Sequence, residues 1–227
     1  MGRFVVGAVV IVSLGLGSMG CGGEEYPSGT GGGFGGGGGG GGFGGGGGGT
    51  GTSCGPQNCT GCCFNGSCQP GSTAAGCGKG GGSCAACATN QVCRVDQTCG
   101  VDPESSWRVQ PVSAQIAPNN NGSSWDGDGS GPDPQVYMTC GASTSGSTPE
   151  AGNTYQPRWS SGGCVTKAKD LLASGWTFQL YDIDLTSDDT ITAALKVTIG
   201  EGDFIAGGFN VGASGGLQSM AVQLIKQ

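Results

Sequence analysis

The sequence predicts an all-β fold: an antiparallel β-sandwich with one short inserted helix, preceded by a disulfide-stapled cysteine-rich module and a disordered glycine-rich linker. Three observations carry this. Five short apolar runs follow one another after Glu104: "WRVQPVSAQI", "QVYMTC", "WTFQLYDI", "ITAALKVTI" and "LQSMAVQLI". Glycine, 53 of the 227 residues, thins over the same stretch. The chain also has 13 cysteines and no histidine, a composition of cross-links more than of imidazole chemistry. Glycine buries no side chain and loses much backbone freedom on folding, so one ordinary domain plus small stapled pieces is all this composition supports.

Residues 1–20 read as an export signal. Arg3 precedes the apolar run "FVVGAVVIVSLGL", and small residues lead to Cys21. The run is too short and too interrupted by glycine for a membrane-spanning helix. The pattern resembles a bacterial lipoprotein signal, in which the cysteine after the cleavage site is lipidated. Gly20 before Cys21 fits that family; Ser18 and Met19 depart from it. The resemblance implies lipidation at Cys21 and an outer-membrane or periplasmic lipoprotein. Ordinary secretion with an unpaired Cys21, or an uncleaved anchor, remains open, and all three readings place the remainder outside the cytoplasm.

Residues 21–53 form the expected tether. The stretch "TGGGFGGGGGGGGFGGGGGGTG" behaves as a flexible coil spanning about 25 Å, from roughly 5–6 Å times the square root of its length.

Residues 54–100 hold Cys54, Cys59, Cys62, Cys63, Cys68, Cys77, Cys84, Cys87, Cys93 and Cys99. So few apolar residues cannot build a hydrophobic core, and cross-links must restrict the unfolded chain instead. The C-x-x-C pairs Cys59/Cys62 and Cys84/Cys87 raise a zinc alternative. Their separation is slightly long for a zinc ribbon and six cysteines would be left over, so disulfides behind an export signal are the expectation. Spacing leaves their connectivity open. The run resembles small cysteine-rich modules of exported bacterial surface proteins.

Residues 104–227 form the expected sandwich. In "WTFQLYDI", Trp176, Phe178 and Leu180 alternate with polar residues and place a bulky row on one sheet face; Met220, Val222 and Leu224 do the same near the C-terminus. "VTKAKDLLASG", residues 165–175, predicts the helix, with Gly175 as its stop. Cys140 and Cys164 are expected to pair, stapling a strand end to the loop before the helix.

Charge is concentrated in this region, which has 12 acidic and 6 basic residues. Seven of the 12 fall in two segments, "WDGDGSGPDPQV" with Asp126, Asp128 and Asp133, and "YDIDLTSDDTIT" with Asp182, Asp184, Asp188 and Asp189. Both segments lie between expected strands. Two acidic loops at one end of a sandwich make a cup of carboxylates, which repels itself unless a cation is bound. Oxygen ligands of this kind suit Ca²⁺.

The order of these segments resembles a C2 domain. "PDPQV" stands where that family has an "SDPYV"-like first loop, a T…T…P-x-W stretch follows, and the strand ending in D-x-D, then "DD", stands for the third loop. The resemblance covers roughly residues 107–225 and implies calcium ligation by Asp133, by Asp182 and Asp184, and by Asp188 or Asp189. Asp126 and Asp128 bracket the usual spacing of the remaining ligand. Thr192 replaces a customary glycine. Two other readings stand beside this one. "DGDGSG" begins like a D-x-[DN]-x-[DN]-G calcium loop, although its twelfth position is Tyr137 and not glutamate. The aspartates are also ordinary turn formers.

Catalysis is not expected. "GASGG" matches G-x-S-x-G at Ser214, but no histidine exists to act as base. Lys79 in "GCGKGG" lacks the Ser or Thr of a phosphate loop. No basic stripe suits nucleic acid. The expected role is a calcium-binding adhesion module for a protein or glycan. Calcium-dependent docking on phospholipid head groups and a metal-free structural envelope role are the alternatives.

Overall fold

The computed structural model describes residues 53–185 and 187–227. The expected signal, Cys21 and nearly all of the linker lie outside these residues. These residues belong to one compact unit, and no helix among them is long and apolar enough to cross a membrane.

The cysteine-rich part is built from strands of two or three residues: β1 (Cys62–Phe64), β2 (Ser67–Gln69), β3 (Ser72–Thr73), β4 (Gly76–Cys77), β5 (Gly82–Ser83), β6 (Gln91–Cys93) and β7 (Cys99–Val101). Such pieces are too short to hold one another by pairing alone. Five disulfides do so, and they leave none of the ten cysteines for a metal: Cys54–Cys63, Cys59–Cys68, Cys62–Cys84, Cys77–Cys93 and Cys87–Cys99. The β1–β2 hairpin turns on Asn65 and Gly66, both at positive φ (49° and 75°), as a tight two-residue hairpin requires.

The sandwich comprises β8 (Ser106–Ile116), β9 (Pro134–Cys140), β10 (Thr144–Ser147), β11 (Cys164–Lys167), α1 (Ala168–Ser174), β12 (Trp176–Asp182), β13 (Asp189–Val197), α2 (Glu201–Ala206), β14 (Gly208–Val211) and β15 (Leu217–Lys226). Two four-stranded antiparallel sheets result, ordered β10-β9-β12-β13 and β11-β8-β15-β14. Trp107, Ile116, Trp176, Phe178, Leu180, Met220 and Val222 fill the space between them. Alternation explains the inward rows, and bulges explain its interruptions. The buried row of β8 runs through Trp107, Val109 and Pro111, is interrupted at Val112 where the β8–β15 register shifts, and resumes at Ala114 and Ile116; next to a bulge a strand tolerates a proline that cannot donate to the ladder.

Several expectations change in detail. The helix is shorter than 165–175, because Cys164–Lys167 pairs with β8 as a strand before the chain turns into α1. Cys140 and Cys164 do form a disulfide, but Cys164 begins a strand and does not lie in a loop; the bond therefore joins the two sheets. A second short helix, α2, is present, opened by Asp203 Oδ2 accepting from the Gly200 N–H (2.8 Å) and closed by Gly207 at φ 74°. Asp189 belongs to β13 and not to the preceding loop. Ser214 lies in the β14–β15 hairpin, away from any strand-to-helix turn.

The cysteine-rich part is fastened to the sandwich at α2. Asn90 Nδ2 donates to the Phe204 carbonyl (3.0 Å), and Arg94 donates to the Val101 carbonyl while pairing with Glu201. Phe204 in turn meets Trp107 edge-on, with ring centroids 4.9 Å apart, inside the core.

Candidate metal centre

The burial pattern of β12 places the first carboxylate. Trp176, Phe178, Leu180 and Asp182 are all buried, with half-buried Thr177, Gln179 and Tyr181 between them. Asp182 is therefore the fourth member of an inward row, and it is 0% exposed. Strand register brings the chain around it, since Asp182 stands opposite Pro134 of β9 on one side and Asp189 of β13 on the other. The backbone N–H of Asp133, just before β9, donates to Asp182 Oδ1 at 2.6 Å. Asp182 Oδ2 is buried with no hydrogen-bond partner among the described residues.

The second carboxylate comes from the loop after β8. Trp125 is buried and its indole N–H donates to the Ala117 carbonyl (2.9 Å), which pins the start of the acidic turn. Gly216 lets the indole in: a Cβ there would lie 2.8 Å from the Trp125 ring. Ser130 then organises the turn. Its hydroxyl lies 2.7 Å from Asp126 Oδ2 and 2.6 Å from Asp128 Oδ1, so one proton serves two carboxylates, and its N–H also donates to Asp128 (2.9 Å).

Oxygens of Asp126, Asp182 and Asp184 lie within 4.8 Å of one another. The other four expected ligands are placed differently. Asp128 is exposed and tied to Ser130, whose side-chain bond holds its pKa below the ordinary carboxylate range. Asp133 Oδ1 accepts from the Asn153 N–H, and Asp188 Oδ1 from the Asp184 N–H (3.2 Å). Asp189 sits on β13 opposite Asp182 and adds its negative charge to the surroundings of Asp184.

Electrostatics make the trio expensive without a counter-charge. Charges about 5 Å apart repel by roughly 3 kcal/mol at an effective dielectric constant near 20. Burial, followed by the charges of Asp126, Asp184 and Asp133, pushes the Asp182 pKa up to about 6 against the Asp133 hydrogen bond, which lowers it. Asp184 is also raised, first by burial and then by Asp126. The buried indole N–H groups of Trp159 and Trp176 likewise lack partners among the described residues. Of these three orphaned groups only Asp182 can ionise to an anion in the physiological range, and Asp182 is the one that belongs to the trio.

Spacing in the sequence identified the acidic residues. It did not reveal Ser130 as their organiser, or that Asp133 contributes through its backbone N–H; no residue pattern signals either. Thr192, which departs from the C2 pattern, fills the irregular register of the β12–β13 pair by accepting from the Leu180 N–H through its hydroxyl (3.2 Å).

No family model matches the sequence, and no curated protein matches it either. Among solved structures, a C2 domain shares 12% identity, covering 54% of this chain and 98% of its own, with a TM-score of 0.37. A single C2 domain from plant extended synaptotagmin 1 shares 14%, covering 56% and 98%, with a TM-score of 0.38. A calcium-bound pair of C2 domains from extended synaptotagmin 2 also shares 14% and has the same TM-score, covering 55% of this chain and 47% of that one. At TM-scores this low the functional reading rests on the carboxylates alone.

Proposed function

We propose that this chain is an exported, lipid-anchored bacterial surface protein whose C2-like sandwich binds calcium and serves as a binding module for protein or glycan, without catalytic activity. The observation that carries the calcium reading is the buried carboxylate of Asp182, whose Oδ2 is unpartnered among the described residues and one oxygen of which lies within 4.8 Å of oxygens of Asp126 and Asp184. These three residues would hold the ion. An all-carboxylate donor set suits a hard cation that takes about six to eight oxygens, and the ion would supply the positive charge that the trio lacks. Asp128, Asp133, Asp188 and Asp189 surround the trio as supporting charges and turn residues.

Thermal unfolding of the full chain with its disulfides intact, in EDTA, millimolar calcium and millimolar magnesium, tests the reading. A ligand at about ten times its Kd stabilises the native state by roughly 1.4 kcal/mol. A calcium-selective rise in Tm supports the site, and an unchanged Tm at ten millimolar calcium removes it. Anchoring is tested separately: metabolic labelling with a radioactive fatty acid should mark the wild-type protein and not Cys21→Ala, and an unlabelled wild type, or equal labelling of the variant, refutes lipidation at that residue.

One observation favours a second reading, calcium-dependent docking on phospholipid head groups. Leu185, next to Asp184, is fully exposed. Sedimentation with phosphatidylserine vesicles that requires calcium and is lost in Leu185→Ser would establish it; no sedimentation would exclude it.

A further inference from the structure

The outward face of the β10-β9-β12-β13 sheet carries an open groove of about 510 Å³, separate from the metal trio. That volume lies within the range of small-molecule sites, about 300–1,000 Å³. Register builds its floor in rows. Ser145 of β10, Thr139 of β9 and Thr177 of β12 form one, and Ser147, Tyr137 and Gln179 form the next. No charged residue among the described ones lines it, although the chain as a whole carries a net charge of −7. The nearest charged position in register, Lys196 opposite Thr177, is outside the lining.

These side chains specify a ligand class. Hydroxyl, amide and phenol groups both donate and accept, so they match a partner rich in hydroxyls. Phosphorylated or sulfated ligands call for cationic side chains, and the lining offers none. Tyr137 is 46% exposed, and an aromatic ring presents a negative face to which the C–H bonds of a sugar ring are attracted. That ring is already fixed. Its hydroxyl donates to Gln135 Oε1 (2.9 Å), and it meets Tyr181 edge-on with centroids 5.7 Å apart. Little conformational freedom remains to be lost on binding.

We infer that this groove binds a neutral oligosaccharide, with the Tyr137 ring as platform and Gln179, Thr139 and Thr177 as hydrogen-bonding partners. The inference gives the binding-module reading above a site and a ligand class, and so rests on it, but the groove does not require the ion.

Isothermal titration of the full chain, disulfides intact, with cellohexaose, chitohexaose and mannohexaose, each in EDTA and in calcium, tests this. A heparin hexasaccharide serves as the anionic comparison. At least one neutral probe should bind, and its affinity should fall tenfold or more in Tyr137→Ala and in Gln179→Ala. Gln179 lies half-buried on the outer face, so its truncation leaves the core intact, and the Tm of each variant verifies that it is folded. Absence of binding to all three neutral probes at millimolar concentration overturns the inference, as does binding to heparin alone or wild-type affinity in both folded variants. Sugar binding without any calcium-dependent Tm shift would sink the metal site and leave the groove standing. A calcium shift without sugar binding would do the reverse.

Discussion

Replacing Asp182 by asparagine should stabilise the metal-free protein while abolishing its response to calcium. A carboxyl that titrates at about 6 against an ordinary 3.8 has its charged form destabilised. At about 1.4 kcal/mol per pH unit, this amounts to at most roughly 3 kcal/mol at neutral pH, and solvent near the loops screens part of it. Asparagine keeps an oxygen at the position where Asp182 Oδ1 accepts from the Asp133 N–H (2.6 Å). Its amide nitrogen replaces the orphaned, buried Oδ2 and presents no negative charge to Asp126, Asp184 and Asp133, whose charges raise the Asp182 pKa. Both changes remove a penalty of the metal-free state. Equilibrium urea unfolding at pH 7.5 in EDTA, with wild type and variant compared directly, should show a gain of about 1–3 kcal/mol. A corresponding rise in Tm of roughly 2–4 °C per kcal/mol is expected for a chain of this size. The same variant in millimolar calcium should show no further rise. If Asp182→Asn destabilises the protein in EDTA, the carboxylate is already satisfied without a metal and the electrostatic reasoning is wrong.

The same carboxylate makes stability depend on pH. Because the folded-state pKa of Asp182 is raised, its stabilising contribution is full below the unfolded value and is lost as pH rises through about 6. Wild type in EDTA should therefore gain stability relative to Asp182→Asn on going from pH 7.5 to pH 4.5, read by paired urea curves; parallel pH profiles would refute this. Replacing both Cys140 and Cys164 by alanine opens a cross-link of sequence separation 24 that joins the two sheets, and should cost about 3–4 kcal/mol by the loop-entropy relation. Gly216→Val would push against the Trp125 indole, 2.8 Å from the added Cβ. It should cost about 1–3 kcal/mol and weaken the calcium response, since the displaced indole carries the turn that holds Asp126. Arg94→Ala removes hydrogen bonds to the Val101 carbonyl and Glu201, and hydrogen exchange in β6 and β7 should speed up while that in β12 is unchanged.

The strands were legible in the sequence wherever a row of side chains meets the core. "WTFQLYDI" and "LQSMAVQLI" declare themselves because Trp176, Phe178 and Leu180, or Met220, Val222 and Leu224, must all be buried. Two of the edge strands were not legible. β10 ("TSGS") and β14 ("GFNV") stand at the ends of their sheets, are four residues long and contain no fully buried side chain, so no apolar run marks them. The helix α2 escaped because six residues are too few to show a period; only Asp203 near its start and Gly207 at its end hint at it. At the site, residue type and loop were readable, but convergence was not. Which aspartates meet depends on the β9–β12 register and on the turn held by Ser130. The inward position of Asp182 was implicit in the alternation of its own strand, since it continues the row of Leu180 by two residues.

Calcium binding by the aspartate trio is open to direct calorimetric titration of calcium into the chelator-treated, disulfide-intact full chain. Saturable binding is expected with a Kd of about 10⁻⁴–10⁻³ M, the range of extracellular calcium modules. It should be lost in the Asp182→Asn/Asp184→Asn double variant while that variant remains folded. An absence of binding heat up to ten millimolar calcium, or equal binding by the double variant, would contradict the metal centre, and the trio would then be a cluster of carboxylates that shares protons instead of a metal ion.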